Sequence, residues 1–427
     1  MEFESRCVQG AYEPKNGEPR VLPLVQSTTF YYENADKMAY VFDYPETGHL
    51  YTRISNPTID AFEKKVAALE GGVGALACAS GLAAETLAVM NACSAGDNIV
   101  CSSMVYGGTY NLFNVTLRRY GIETRFFDPD SKEEDIEKLI DDKTKIIYGE
   151  TIANPAMVVL DFDKFARIAN KYGLIFMVDN TLASPALLNP KKFGANVIIH
   201  STTKYLDGHA SCVGGIIVDC GNFKFPGNSR FEELFNKPDE SYHGRTYSKD
   251  FGAGAFVAKA RCQMMRDFGS QISPFNAYLT NMNSETLNIR MLKTSENALH
   301  VAKLLKNHPQ IEWVMYPGLE GDKYYDIAKK YYNGNGFGGM LVFGIKGGKA
   351  AASKFQDSLK FLSIVTHIAD VRSSVLHPAS TTHRQLSAKD LKACGVPENL
   401  VRLSIGIEDI KDIESDILQA LEASKNI

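Results

Sequence analysis

No two of the eight cysteines form a C-x-x-C pair: Cys7, Cys78, Cys93, Cys101, Cys212, Cys220, Cys262 and Cys394 are scattered through 427 residues. The spacing excludes the common zinc and dithiol motifs, so no metal site is expected. Isolated thiols fit a reduced cytoplasm. No apolar run reaches membrane-spanning length. The opening stretch, MEFESRCVQG, lacks a charged-then-apolar leader pattern. Basic charge is not in excess: 46 Lys and Arg stand against 50 Asp and Glu, for a net charge of -4. With pI near 6.2, there is no electrostatic footprint for nucleic acid. No G-x-G-x-x-G follows a strand, which disfavours a nicotinamide dehydrogenase. Ser80 lies in CASGL rather than G-x-S-x-G, which disfavours that hydrolase class. Small-molecule partners remain.

What is present reads as a soluble globular enzyme, with 44% hydrophobic and 22% charged residues. The length implies a large domain plus a second one. We expect boundaries at 1–58, 59–280 and 281–427. Residues up to about Asn56 are polar and poorly periodic, with EPKNGEPR and YPETGHL reading as loops. A segment of this kind is either an arm gripping a partner subunit or a functional loop. From Pro57 the pattern changes. TIDAFEKKVAALEGG is a helix closed by glycines. GALACASGLAAETLAVMNAC reads as strand, tight turn and helix. NIVCSS, ETRFFD, KIIYGE, LIFMVD and NVIIHS are short apolar strands, with helical stretches such as DFDKFARIANKYG between them. This alternation predicts an α/β fold, a parallel sheet with helices on both faces. SCVGGIIVD adds a further strand. A long helix begins near NSETLNIRM, with Leu287, Met291, Ala298, Val301 and Leu305 on one face, long enough to bridge two domains. The remainder mixes strands and helices, an α+β second domain.

Ligands of open parallel sheets bind beyond the carboxyl ends of the strands. Several groups fall there. Asp179 ends LIFMVD. Ser201, Thr203 and Lys204 follow NVIIH. Asn154 follows KIIYGE, and Tyr106 follows NIVCSS. The turn Ser80-Gly81-Leu82 opens a helix whose free N–H groups favour an anion. Ser201 and Thr203 add hydroxyl donors. An anion cup, a carboxylate, an aromatic ring and a lysine together suit pyridoxal phosphate. The lysine would bind it covalently, the carboxylate would keep its ring nitrogen protonated, and the aromatic side chain would stack on the ring. Burial beside other cations would lower the lysine pKa from near 10.4 and activate the amine. His377 and His383 in HPASTTH match no common zinc spacing and read as a structured loop.

The motifs VYGGTY, VDNT, HSTTKYLDGH, HPASTTH and LVRLSIGIED resemble the Cys/Met-metabolism family of pyridoxal-phosphate enzymes, over most of the chain. The resemblance implies the fold-type I, aminotransferase-like architecture, as a homotetramer built from two tight dimers. It implies that Lys204 carries the cofactor, that Asp179 pairs with the ring nitrogen, and that Tyr106 stacks and assists proton transfer. Asn154 falls near the cofactor's phenolic oxygen. Ser80, Gly81, Leu82, Ser201 and Thr203 fall where the family holds phosphate. YTRISNPT matches a segment reaching into the neighbouring subunit, so Tyr51 and Arg53 would serve the neighbour's site. Arg402 matches the arginine that clamps the substrate carboxylate, with Tyr51 and Asn154 beside the substrate. Within the family, the 238–279 insertion and HPASTTHRQL look like O-acetylhomoserine sulfhydrylases. The cysteine of methionine γ-lyases is replaced by Gly108. The stretch HIADVRSS, with His367 and Ala369, departs from the sulfhydrylase pattern where it approaches the substrate. The expected reaction is replacement at Cγ of O-acetylhomoserine by sulfide or methanethiol. A γ-lyase or cystathionine-type activity is the alternative, and a non-catalytic cofactor-binding protein the second.

Overall fold

The computed structural model describes all residues except 45–46, 383, 385–394 and 426. His383 and Cys394 therefore lie outside the described residues. Seven strands form the larger sheet: β1 (Gly74–Cys78), β2 (Asn98–Ser102), β3 (Glu123–Phe127), β4 (Thr144–Glu150), β5 (Ile175–Asp179), β6 (Val197–His200) and β7 (Gly215–Asp219). Their order is β1-β7-β6-β5-β4-β2-β3. The run from β6 to β3 is parallel throughout. Strands β2, β4, β6 and β7 are buried at every residue, which is why their central residues read as apolar runs rather than alternating ones.

The sheet departs from a purely parallel one at β7, which is antiparallel to both β6 and β1. The cause lies in the connection. Parallel neighbours need a crossover to return the chain to the same end. Residues 201–214 make none and turn back at the carboxyl end of β6. Lys204 sits in that turn.

The turn is fixed on several sides. Gly208 N donates to the Lys204 carbonyl at 2.7 Å, and Asp207 N to the Thr202 carbonyl at 3.0 Å. The Asp207 carboxylate accepts from Ser211 N, Ser211 Oγ and Asn283 Nδ2 at 2.9, 2.5 and 2.9 Å. Arg290, nearly buried, donates through Nη1 to the Tyr205 carbonyl at 2.8 Å and through Nη2 to the Asn283 carbonyl at 3.0 Å.

Arg290 belongs to the long helix Leu287–Lys306. Its first turns bury Leu287 and Met291 in the core under the large sheet. Its later turns bury Ala298, Val301 and Leu305 in a second core. One apolar stripe thus serves both. The second core lies against a five-stranded sheet, β8 (Ile311–Met315), β9 (Met340–Ile345), β10 (Ser363–Ile364), β11 (Ser374–Leu376) and β12 (Leu400–Ser404), ordered β10-β11-β12-β9-β8. Only the β10–β11 pair is parallel in that sheet. Helices Gly348–Ser358 and Ile410–Ala423 pack on it.

The first 56 residues are more structured than their loop-like composition suggests. They contain helices Phe3–Gln9 and Ala35–Asp43, the second capped by Asn34, whose side chain accepts from Lys37 N. Such short helices carry too few residues for a clear period. Arg261 ties the end of this segment to β1: Nη1 donates to the Ile54 carbonyl at 2.7 Å and Nη2 reaches Glu63 Oε2 at 2.5 Å and the Ala75 carbonyl at 3.0 Å.

Gly208 tests the lysine turn. Its φ is +66°, and a Cβ there would stand 2.0 Å from Arg290 Nη1. Left-handed backbone and overpacking add, so Gly208→Ala should destabilise the chain by about 2–4 kcal/mol. A denaturant midpoint equal to that of the unmodified protein would refute this account of the turn.

Candidate active site

Three chemical groupings meet at the carboxyl ends of β2, β4, β5 and β6. The first is an anion cup. Ser80 caps the helix Gly81–Ala92, its Oγ accepting from Ala83 N at 3.1 Å. That leaves the N–H groups of Gly81 and Leu82, which no helical carbonyl can reach. Gly81 is required by close approach: a Cβ would lie 2.7 Å from Ser201 Cβ. Gly215 has a similar duty, since a Cβ there would sit 2.0 Å from the Ser80 carbonyl oxygen. The helix start, the lysine turn and β7 thus converge because two glycines permit it. Ser201 N donates to Thr181 Oγ1 at 2.8 Å. Thr203 is brought to the same turn, but its hydroxyl is engaged with Gly214, donating to the carbonyl at 3.1 Å and accepting from N at 3.0 Å.

The second grouping is acidic. Asp179 ends β5, and Glu150 ends β4 opposite it in register. Asp179 Oδ1 accepts from Thr181 N at 2.8 Å. Burial raises its carboxyl above the ordinary range, while the Thr181 bonds and nearby His200 oppose the rise. His200 is itself buried, with Nε2 2.7 Å from Glu70 Oε1. Burial and then Asp179 raise Glu150 well above its usual value. Glu85, on the helix Gly81–Ala92, is pushed up to about 8 by burial and by Asp179.

The third is cationic. Lys204 Nζ lies 3.3 Å from His367 Nδ1. Burial first, and then Arg402, lower its pKa to about 8. No carboxylate is among the groups acting on it. Arg402, on β12 and 8% exposed, donates through Nη1 to Asn154 Oδ1 at 3.2 Å and through Nη2 to the Thr366 carbonyl at 3.1 Å. Burial pulls Arg402 down to about 10, so it stays charged at neutral pH. Burial and Lys204 lower His367, whose Nε2 is buried with no hydrogen-bond partner among the described residues. Ala369, two residues on, has φ +65°, a conformation that favours glycine, and is held by Ser404 Oγ accepting from its N–H at 2.8 Å.

Tyr106 stands on the open side with 51% of its surface exposed, its backbone N–H donating to Glu150 Oε1 at 2.6 Å. Tyr51 and Arg53 are elsewhere. Arg53 lies over the Tyr51 ring, 5.4 Å from its centroid, and bonds the Arg266 carbonyl. Neither shows a contact with Lys204, Asp179 or Arg402 among the described residues. His377 is engaged by Ser380 Oγ at 2.9 Å and the Glu398 carbonyl at 2.8 Å.

Sequence reasoning missed Glu85, Glu150, Thr181 and the contact between His367 and Lys204. Glu85 had a signal: it is the only charge in the helix GLAAETLAVMNA. A helix apolar all round is buried, and a lone carboxylate on it is buried too.

The donor set fits pyridoxal phosphate. A phosphate matches the Gly81–Leu82 N–H pair and Ser201; a ring-nitrogen cation matches the acidic grouping around Asp179; an aldehyde matches a partly neutral amine. The chain belongs to the Cys/Met metabolism PLP-dependent enzymes, whose pattern matches residues 4–422. It is an enzyme of the fold-type I class that depends on pyridoxal phosphate. It is 46% identical to the O-acetyl-L-homoserine sulfhydrylase of Leptospira meyeri, across 98% of this chain and 96% of that one. It is 41% identical to the homocysteine synthase of Schizosaccharomyces pombe, across 99% and 98%. A crystal structure from Campylobacter jejuni, described as an O-acetylhomoserine (thiol)-lyase with a pyridoxyl-lysine phosphate, superposes with TM-score 0.95 at 37% identity, covering 99% of this chain and all of that one. No helix among the described residues is long and apolar enough to cross a membrane.

The lysine's burial has a measurable consequence. Between about pH 8 and its free value near 10.4, Lys204 binds fewer protons in the folded chain than in the unfolded one. Stability therefore rises with pH across that window. In cofactor-free protein, Lys204→Met should melt higher than wild type at pH 7. The advantage should shrink as pH rises towards 10.5, because the folded amine is neutral above about pH 8 and the unfolded one is losing its proton as well. A lower melting temperature for the variant at pH 7 would contradict the buried-cation account.

Proposed function

We propose that this enzyme catalyses replacement at Cγ: O-acetyl-L-homoserine plus sulfide or methanethiol gives L-homocysteine or methionine plus acetate. The observation that carries it is an amine lowered by burial to about 8, Lys204, beside a charged guanidinium, Arg402, in a chain whose full-length relatives are named sulfhydrylases and homocysteine synthases. Arg402 offers a planar fork to the substrate carboxylate, with Asn154 orienting it. Bound pyridoxal phosphate supplies an electron sink for negative charge on the substrate's Cα. Lys204 takes the Cα proton and would pass it to the bound cofactor; it then takes a proton from Cβ, and the pair left there forms the Cβ–Cγ double bond as acetate departs from Cγ with its own bonding pair. A thiolate adds at the same carbon, and the protons return through Lys204. Asp179 holds the charge that keeps the sink effective. Tyr106 stacks over it and assists with the proton.

The remaining assignments belong to the same reading. Ser80, Gly81, Leu82, Ser201 and Thr203 hold phosphate, Thr203 only if its hydroxyl turns from the Gly214 carbonyl to the phosphate. Residues 1–58 form an arm, 59–280 the cofactor-binding domain and 281–427 the C-terminal domain. Tyr51 and Arg53 act in a neighbour's site within a tetramer made of two dimers. Their contacts in their own chain, Arg53 over the Tyr51 ring and on the Arg266 carbonyl, support this, as do the exposed aromatics of the first segment, with Tyr31 88% and Tyr40 56% exposed. The seven described cysteines are unpaired, which supports a cytoplasmic setting.

Product analysis tests the reaction. O-acetylhomoserine with sulfide should give mainly homocysteine and acetate, and methionine alone should react poorly. A barrier difference of about 1.4 kcal/mol shifts partition between replacement and elimination tenfold. Rapid methanethiol release from methionine, with little homocysteine from the acetyl ester, would move the assignment to a γ-lyase.

Subunit exchange tests the shared site. Arg53→Ala and Lys204→Ala chains, each inactive alone, should regain part of the activity when mixed. One site in the hybrid then has both residues intact. Failure to recover after verified exchange would place Arg53 and Lys204 in the same chain's site.

A further inference from the structure

Two buried carboxyl groups hold one short turn from beneath. Tyr106 N donates to Glu150 Oε1 at 2.6 Å, and Thr109 Oγ1 donates to Glu85 Oε1 at 2.9 Å. Between them, Tyr106-Gly107-Gly108-Thr109 opens the helix Gly107–Asn111, with Tyr110 N donating to the Tyr106 carbonyl at 2.9 Å, and its two glycines bring no side chains to pack it in place. The Tyr106 ring lies over Gly108, where a Cβ would meet it at 2.5 Å. With Tyr106 half exposed, packing does not fix the ring; the anchoring of its backbone does.

Glu85 makes that anchorage in an unusual setting. It is 3% exposed. Its Oε1 also accepts from Tyr148 OH at 3.2 Å, while Oε2 is buried with no partner among the described residues. The ionisable groups facing it are the carboxyls Asp179 and Glu150, the Tyr148 phenol and the Cys101 thiol; no cation is among them. An ionised carboxylate so buried calls for a cation or for donors on both oxygens. Two hydroxyl donors on one oxygen and none on the other suit a neutral acid. Burial and Asp179 act in the same direction.

We propose that Glu85 is a positioning residue that fixes Tyr106 through Thr109, and that it works as a neutral acid, leaving Asp179 to carry the negative charge against the cofactor's ring nitrogen. This rests on the roles read above for Tyr106 and Asp179, and it is independent of which thiol or acyl group reacts.

The test compares holoenzymes of Glu85→Gln, Glu85→Ala and Thr109→Val by the visible circular dichroism of the bound cofactor and by kcat and KM. Glutamine is neutral and keeps the acceptor oxygen, so Glu85→Gln should retain the visible dichroism and a kcat within about threefold of wild type. Glu85→Ala and Thr109→Val both cut the tether. Each should weaken the visible dichroism and lower kcat by roughly tenfold, with a smaller change in KM, while far-ultraviolet dichroism is unchanged. If Glu85→Ala does not fold, Thr109→Val decides alone. Loss of the visible signal in Glu85→Gln would show that Glu85 acts as a charge and overturn the proposal. A wild-type signal in Thr109→Val would overturn it as well. Asp179→Asn, run beside them, separates the parent reading: full turnover there would sink the Asp179 assignment whatever the Glu85 variants do.

Discussion

Lys204 is an amine taken out of water beside a cation. Burial penalises its charged form first, Arg402 adds to the penalty, and no carboxylate is among the groups acting on it. Like charges in a poorly solvated space repel far more than they do in water. The molecule relieves this by making the lysine a weaker base. An amine that is partly neutral near pH 8 can attack a carbonyl and carry protons, whereas an ordinary lysine stays charged. Among the acids of the cleft, burial first and Asp179 second raise Glu85 and Glu150, while Asp179 itself responds to burial, the Thr181 bonds and His200. The cleft thus keeps its cations and its acids apart rather than pairing them, with Glu85 and Glu150 pushed towards their neutral forms.

Such an arrangement survives only on a rigid frame. The frame is the parallel run from β6 to β3, which aligns several strand ends at one edge, and the turn after β6 that never crosses back. Arg290 reaches that turn from the long helix whose stripe is buried in both cores. Val371 N donates to the Gly208 carbonyl at 2.9 Å, so the segment carrying His367 is pinned to the lysine turn as well. The same long helix thereby couples the Arg402 sheet to the Lys204 loop. Relative movement of the two sheets would alter the distance between the Lys204 amine and the Arg402 guanidinium.

How much of this is legible in the sequence depends on how each residue is placed. Asp179 and Lys204 sit at the ends of unbroken apolar runs, and such runs mark buried parallel strands from sequence alone. The Ser80 cap shows itself as a small polar residue before a helix. Arg402 does not: a single arginine inside LVRLS reads as an edge-strand residue until the second sheet is folded against the first, and only resemblance singles it out. The antiparallel course of β7 is invisible because a strand's direction is set by its connection, not by its own residues. Glu150 and Thr181 are defined by neighbours across the sheet, Asp179 and Ser201, which no local pattern pairs. The helices near Phe3 and Ala35 are too short for periodicity to speak.

The cost of the cleft and its use have one origin. Repulsion between Lys204 and Arg402 disfavours the folded cofactor-free chain, and so does crowding three carboxyl groups at the ends of β4 and β5 and on the adjoining helix. Bound as proposed above, a ligand with a negative phosphate, a cationic ring nitrogen and an electrophilic carbon would answer each group in turn: the phosphate would face the free N–H groups of Gly81 and Leu82, the ring cation would meet Asp179, and the Lys204 amine would bond the carbon. Each relief is present only in the folded chain. Binding therefore stabilises the fold as it assembles the site, since a ligand that prefers the native state shifts the folding equilibrium by mass action. A cleft balanced without its ligand would have its lysine paired and its aspartate neutralised, and would have nothing left with which to do chemistry.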